Sequence, residues 1–396
     1  NPGIPYVTEP ETVVIKHYDR ETAAQTLEHV LKDLEEGMQL VGGSSDYDQP
    51  KFHFTRDAAA ALGARIALFS RNYNDVIRYA NMLLPTPTQH FALSYTDDTP
   101  VLNADGSPAQ GVDPNDAADQ FMRSNLHDWR TYIKSGNPDQ MGTDFTSASA
   151  NANLLLTECV TLAYREMVGT AYVRHAMERT AMVTLLTENV TGDPWIFQNV
   201  AYQWNGGRTY WLPKFYEDFK IDNPVAQTGV PYSKCALLRL EEVLLARAEA
   251  YAMLGNYDGA LDDLNMFAAC RIDDYAYGPN TLYKDKLTDY YTAQLNAPDH
   301  FINSAYNAGR FKAGDEGNVQ KALILTVLDF RRIEFLYEGI RYWDVLRWNI
   351  PVTHTTIDGA TSTLTPDDDR RILQIPQIAT ASGIQLNDMV NIPYPW

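Results

Sequence analysis

The chain has 396 residues, and its 32 Lys plus Arg stand against 51 Asp plus Glu, a formal net charge of −19 at pH 7. That surplus of negative charge opposes binding to a phosphate backbone or an anionic lipid surface, and leaves a neutral glycan or a peptide as compatible ligands. With 45% hydrophobic and 21% charged residues the chain reads as ordered and globular, long enough for two or three packed units.

Residues 1–18 are Pro-rich and read as extended chain. Asn1-Pro2-Gly3-Ile4-Pro5 has neither a basic nor an apolar region of the kind an export signal needs, so the sequence reads as a mature or trimmed form. Asp19 reads as an N-cap, because Ala23, Leu27, Val30, Leu31 and Leu34 follow at helical spacing and Gly37 closes the run. A Gly/Ser/Asp loop is expected over 42–48. Thr55 should cap a second helix through Ala58, Leu62, Ile66 and Phe69. A third runs from Tyr73 to Leu84 and is stopped by Pro85 and Pro87.

Residues 86–152 are rich in Asp, Asn, Gly, Pro, Ser and Thr; loops of this length inside a compact domain are usually functional or mobile. Helix is expected again over 154–190. The aromatic segment Trp195, Phe197, Tyr202, Trp204, Tyr210, Trp211, Phe215 and Tyr216 is broken by Asn205-Gly206-Gly207, which suits short strands or a hairpin. From Tyr232 to Arg271 helices return. Leu237, Leu240, Leu244, Ala248 and Tyr251 line one face, Gly255-Asn256 ends that helix, and Ala260, Leu264 and Phe267 line the next. Residues 272–317 form a second insertion rich in Tyr, Asn and Gly. A long helix over 321–337 and a short one over 340–348 are separated by Gly339, and the Pro-rich tail 350–396 reads as irregular surface coil.

One pattern recurs. Asn72-Tyr73-Asn74-Asp75 and Asn256-Tyr257-Asp258-Gly259 each sit between two amphipathic helices rich in small residues. That is the tetratricopeptide layout, in which small residues let paired helices approach closely. Two unrelated helical hairpins would give the same signal. No uninterrupted apolar run reaches the roughly 20 residues of a membrane helix.

Cys159, Cys235 and Cys270 are odd in number and form no CxxC pair, which points to buried thiols rather than a disulfide framework or a zinc knuckle. One bridge plus one free thiol stays open. HExxH, GxSxG, P-loop and GxGxxG motifs are absent, and the 8 His include no i,i+4 pair. The acidic stretches 113–119 and 367–369 lack calcium-loop spacing. Asp97-Asp98 and Asp262-Asp263 read as surface acids, since adjacent side chains point apart. The expectation is a chain without catalytic residues, cofactor or metal site.

Arg331, Arg332, Glu334, Glu338, Arg341, Trp343 and Asp344 lie in the segment densest in charges and rings. Arg331/Glu334, Glu338/Arg341, Arg341/Asp344 and Asp344/Arg347 are spaced i,i+3 and predict a local ladder of ion pairs, with Trp343, Leu346 and Ile350 as the buried stripe. This reads as a locked structural corner, with a ligand-binding Arg cluster as the other reading. Aromatic loops are the better ligand signal, because a ring face stacks on a sugar while amides and charges bond its hydroxyls. Trp204, Asn205, Arg208 and Tyr210 offer one such set, Trp129 and Arg130 a second. The same rings could simply pack loops onto the helical body.

These residues resemble the SusD/RagB family of Bacteroidetes nutrient-binding lipoproteins. The resemblance is carried first by Arg331-Arg332-Ile333-Glu334-Phe335, Glu338-Gly339-Ile340-Arg341-Tyr342-Trp343-Asp344 and Arg347-Trp348. The stretch from Leu238 to Ala250, leading into Leu264-Asn265 and Arg271, is the second block. Pro5-Tyr6-Val7-Thr8-Glu9-Pro10, Lys32-Asp33-Leu34-Glu35, Thr55-Arg56-Asp57-Ala58-Ala59 and Lys214-Phe215 also fit. The resemblance implies an all-α body of tetratricopeptide-like helix pairs with a loop-rich insertion and few short strands.

It further implies a non-enzymatic subunit that captures oligosaccharides for a SusC-like TonB-dependent transporter, lipid-anchored at the outer surface of the outer membrane. Capture of oligopeptides by the same kind of importer, or a helical-repeat adaptor with no small ligand, are the alternatives. Family members carry a lipoprotein signal, a leader and a first helix pair ahead of the Pro5–Pro10 block, so ligand contacts made by that portion are expected to lie outside these residues. The anchor is not expected to be any of the three cysteines. The expected organisation is a helical repeat region at 1–85, a loop-rich insertion with a helix and the aromatic segment at 86–231, a tetratricopeptide-like pair at 232–271, an insertion at 272–320, and the signature helices with a coil tail at 321–396.

Overall fold

The computed structural model describes residues 2–13, 16–85, 95–96, 99–100, 114–160, 177–203, 210–276, 278–295, 307–356 and 358–387. In chain order the helices and strands are α1 (Ala23–Leu40), α2 (Arg56–Phe69), α3 (Tyr73–Ala80), β1 (Tyr95–Thr96), β2 (Thr99–Pro100), α4 (Pro114–Asn125), α5 (Trp129–Ile133), α6 (Pro138–Phe145) and β3 (Asn153–Cys159). Then come α7 (Arg179–Thr187), β4 (Tyr202–Gln203), β5 (Tyr210–Trp211), β6 (Glu217–Asn223), β7 (Thr228–Arg239), α8 (Leu240–Leu254) and α9 (Tyr257–Arg271). The chain closes with α10 (Lys284–Leu295), α11 (Gly314–Glu334), α12 (Ile340–Arg347), β8 (Val352–Thr355) and β9 (Thr361–Leu364). The fold is mostly helical with short strands, as the residue pattern predicts.

Two compact units form. One gathers Asn1–Leu40, Ala297–Arg310 and Tyr342–Trp396; the other gathers Val41–Asn296 and Phe311–Arg341. The second unit holds two helix hairpins of the expected repeat, α2–α3 and α8–α9. Both open their second helix on an Asn cap: Asn72 accepts from the Asp75 N–H at 3.4 Å and Asn256 from the Gly259 N–H at 3.1 Å. Each cap satisfies one of the donors that a helix start leaves free. Gly255 adopts φ 83° at the end of α8, a conformation that costs other residues a Cβ clash.

Small side chains set the spacing. Ala58, Ala59, Ala60, Ala61, Ala64 and Ala67 of α2 are all buried. A Cβ on Gly63 would lie 2.7 Å from the Tyr79 ring of α3, so only glycine admits that approach. Residues 240–252 of α8 are buried on every face, which makes α8 the central helix, packed by α3, α9 and α11. An antiparallel sheet of order β3-β7-β6 is formed by the chain that runs from the first hairpin to the second, and β7 runs directly into α8 through Arg239.

In the first unit, Thr22 begins α1. Its hydroxyl accepts from the Gln25 N–H at 3.2 Å while the Gln25 side chain accepts from the Thr22 N–H at 3.1 Å, a reciprocal capping box. Arg371 is buried and donates to the carbonyls of Val345 and Ile350 at 3.0 and 2.7 Å. Arg310 lies 3.7 Å from the centre of the Trp348 ring and bonds the Arg347 carbonyl.

Some local expectations change. The cap of α1 is Thr22 rather than Asp19, and Gly37 lies inside the helix, because a single glycine costs a helix only about 1 kcal/mol. The expected helix over 154–190 gives way to strand β3 at its start, and 232–239 extends β7, because Leu154, Leu156 and Leu238 bury on one sheet. The tail is not all coil, since β8 and β9 pair as a hairpin. Asp263 is no surface acid: it is buried and takes a two-pronged ion pair from Arg247 at 2.9 and 2.7 Å.

The Gly63 approach is directly testable. Gly63→Val should force the Tyr79 ring aside and lower stability by about 1–3 kcal/mol, read as a shift of the urea midpoint, while the same change at half-buried Gly37, where an added Cβ meets nothing within 4 Å, should cost less.

Candidate functional site

Ionisable side chains gather where β7, α8, α9 and α11 end or begin. Arg239 closes β7, Glu241 lies in the first turn of α8, Arg271 closes α9 and Glu334 closes α11. Glu241 and Arg271 sit at the helix ends that the macrodipole favours for their charge. All four are buried. Arg271 pairs with Glu241 at 3.0 Å and with Glu334 at 2.8 Å. Arg239 pairs with Glu241 at 3.2 Å, Glu334 at 3.1 Å and Glu338 at 2.9 Å. Lys214, also buried, reaches Glu338 at 2.6 Å and donates to the Glu334 carbonyl. His127 places Nδ1 2.8 Å from Glu241 and Nε2 2.9 Å from the Phe145 carbonyl.

Burial by itself would raise the Glu241 carboxyl, but His127, Arg239 and Arg271 outweigh it and hold it well below the usual range. Glu334 is held low in the same way by Arg271, Arg239 and Lys214. Burial pushes the Lys214 amine down against the pull of Glu338 and Glu334. Shifted groups in a cluster are the usual mark of an active site. Here each carboxylate pairs with buried cations, and the arrangement locks four elements together.

The signature residues divide accordingly. Of the expected i,i+3 ladder, Asp344–Arg347 forms at 2.8 Å. Glu334 and Glu338 make long-range pairs with Arg239, Arg271 and Lys214, which sequence spacing does not reveal. Arg331 stacks over Phe335, Arg332 lies 3.7 Å from Asp329, and Arg341 donates to the Leu328 carbonyl. The buried stripe of α12 is Asp344, Val345 and Arg347, followed by Trp348; Trp343, expected inside, is 45% exposed.

The described residues also frame a cleft of about 350 Å³. Lys51, Asp57, Ser124, Asn125 and Asn151 supply its polar wall, and Leu154 and Leu240 belong to its apolar part. Thr55 and α2 fix Asp57, the end of α4 fixes Ser124 and Asn125, and the start of β3 fixes Leu154. The Asn151 amide donates to the Arg123 carbonyl at 3.2 Å and the Asn125 amide to the Phe121 carbonyl at 3.1 Å, which orients both side chains. Burial lowers the Lys51 amine. Such a wall offers amide, hydroxyl, amine and carboxylate groups to a polar ligand. The sequence does not reveal it, because Asp57 stands out only as part of a SusD-like run and the five come from separate stretches.

The residues expected to bind ligand fare differently. Trp129 is fully buried, with Phe145 and Phe197 centred 5.5 and 5.0 Å away, so its faces are taken up by protein and it is a core residue. Arg130 is exposed, 3.7 Å from Asp128. Tyr210 is half-buried on β5, where its carbonyl accepts from the Tyr337 hydroxyl. Trp204, Asn205 and Arg208 lie outside the described residues. Among the described residues no His, Cys, Asp and Glu side chains group to hold a metal ion, and no helix is long and apolar enough to cross a membrane.

Two family models match the chain. Residues 172–365 match the model described as SusD family. Residues 2–68 match one described as starch-binding associating with outer membrane. The chain belongs to the SusD family. Among curated proteins none matches it. Solved SusD-family structures share its fold. A putative sugar-binding protein from Bacteroides vulgatus has a TM-score of 0.51 at 17% identity, over 96% of this chain and 68% of that one. A SusD-like carbohydrate-binding protein from the same organism has a TM-score of 0.50 at 14% identity, over 96% and 69%. A SusD-like protein from Bacteroides fragilis has a TM-score of 0.50 at 14% identity, over 98% and 75%. In the densest SusD-like block, 325–348, Glu334 ties β7 and α9 to α11, and Glu338 pairs with Arg239 and Lys214.

Removing one partner from this network should be costly. Arg271→Met leaves Glu241 and Glu334 short of a cation and should lower stability by about 3–5 kcal/mol at pH 7, measured by urea unfolding. Because the folded-state carboxyls titrate below the unfolded value near 4.3, their contribution is full above that pH and is lost as pH falls below it. The wild-type urea midpoint should therefore drop between pH 5 and pH 3, and Arg271→Met should flatten that drop.

Proposed function

We propose that this SusD-family chain is a non-enzymatic nutrient-binding subunit that captures oligosaccharides at the outer membrane. The observation that carries this reading is family membership, with one matching model described as starch-binding and associating with the outer membrane. Two of its fold relatives are described as carbohydrate- or sugar-binding. The net charge of −19 suits a neutral glycan better than an anionic one. A lipid anchor and delivery to a SusC-like TonB-dependent transporter belong to the same proposal.

Binding would rest on hydrogen bonds from fixed amides and on ring stacking. Asn125 and Asn151 are held by backbone carbonyls at the cleft wall. Trp204, with Asn205 and Arg208 beside it, is the ring proposed to stack, and Tyr210 and Arg130 are secondary candidates. Trp129 drops out of the proposal because its faces are buried.

Titration calorimetry against neutral oligosaccharides tests this. Trp204→Ala should weaken binding at least about tenfold, the loss expected for one stacked ring, without lowering the melting temperature. Trp129→Ala should instead lower the melting temperature markedly, since it opens a cavity among Phe145 and Phe197. Mass spectrometry of small molecules released from the natively purified protein gives the independent check. Hexose ladders support the proposal, and short peptides would reassign the ligand to the peptide class.

A further inference from the structure

Cys159 and Cys235 stand on neighbouring strands, β3 and β7. In that antiparallel pair Thr157 is opposite Cys235 and Cys159 is opposite Ser233. Opposed residues share a face of the sheet, and so do residues two apart on one strand. The two cysteines therefore project from the same face as diagonal neighbours, with their Sγ atoms 3.7 Å apart and both reduced. Cys159 is exposed and Cys235 half-buried, while Cys270 is buried in α9. We infer that Cys159 and Cys235 are a dithiol poised for oxidation to a cross-strand disulfide by exchange with an external disulfide.

The chemistry balances as an exchange. The exposed Cys159 thiolate attacks one sulfur of the external disulfide, forming a mixed disulfide and releasing one thiolate. Cys235 then loses its proton to a departing thiolate and attacks the Cys159 sulfur. The Cys159–Cys235 bond forms, the mixed bond breaks and the second external thiol leaves. Two protein thiols lose two electrons, and the external disulfide gains them with two protons. The order follows from environment: burial, and then the Cys159 thiol beside it, push the Cys235 thiol up to about 12, so Cys159 makes the first attack and Cys235 resolves. An S–S bond is about 2.05 Å long, so the sulfurs must approach by about 1.7 Å, through side-chain rotation with a small shift of the paired strands.

The bond would tie the end of β3 to β7 and close a loop between residues 76 apart. β7 leads through Arg239 into the buried charge network, so the link would anchor the strand that feeds the core. Loops of this length gain substantially from closure.

The test uses the full chain, fully reduced and then incubated with oxidised glutathione at pH 8. Free thiols are alkylated, and peptides are mapped by mass spectrometry with and without reductant. A reductant-sensitive link between the Cys159 and Cys235 peptides is expected, together with a melting temperature raised by about 5 °C. Cys235→Ser should stop at a glutathione adduct on Cys159, and Cys270→Ser should leave the link intact. A wild-type chain in which both thiols remain alkylatable, or in which Cys159 keeps its glutathione adduct, would overturn the inference.

Discussion

Two glutamates, Glu241 and Glu334, hold this fold's centre. Removing carboxylates and guanidinium groups from water costs several kcal/mol per ion, which is regained only when geometry is good and every charge is answered. Here Arg271 bridges the two glutamates, and Arg239 touches both and Glu338. Lys214 and His127 complete the set from two further segments. The contacts join a strand end, a helix start and two helix ends, so displacing any one element strands a buried charge.

That constraint shapes how the unit is built. The tetratricopeptide-like hairpins pack through small residues, with Gly63 against Tyr79 and a run of alanines along α2. The sheet β3-β7-β6 is joined to the network by Arg239. Rigid scaffolding of this kind lets the segments around it vary without loss of the core. The cleft at Asp57, Asn125 and Asn151 sits on such fixed ends: a capped helix, a helix terminus and the approach to a strand.

The helical pairs were legible because their signals are local. Asn72 and Asn256 cap helices through their own i+3 amides, and Thr55 does the same. The SusD-family blocks were legible for a similar reason, since they are contiguous runs. Strand β3 and the 232–239 part of β7 read as helix in the sequence, because short apolar runs such as Leu154-Leu155-Leu156 and Ala236-Leu237-Leu238 do not state their own period. Trp129 reads in the sequence as a candidate ligand ring, with loop packing as the other reading, because its neighbours, Asp128 and Arg130, are polar. Its burial comes from Phe145 and Phe197, which the chain brings back from a distance.

The sequence by itself determined the family, the mostly helical class, the Thr55 cap and the acidic charge, because each depends on residue type or on neighbours within a few positions. Only the tertiary structure decided which glutamate meets which arginine, which tryptophan is core, that Asp263 is buried, and that Cys159 lies beside Cys235. Those facts depend on where distant segments meet. An ion pair such as Arg271–Glu334 or Arg239–Glu338 leaves no spacing in the chain, because its partners are joined by packing and by no period of helix or strand.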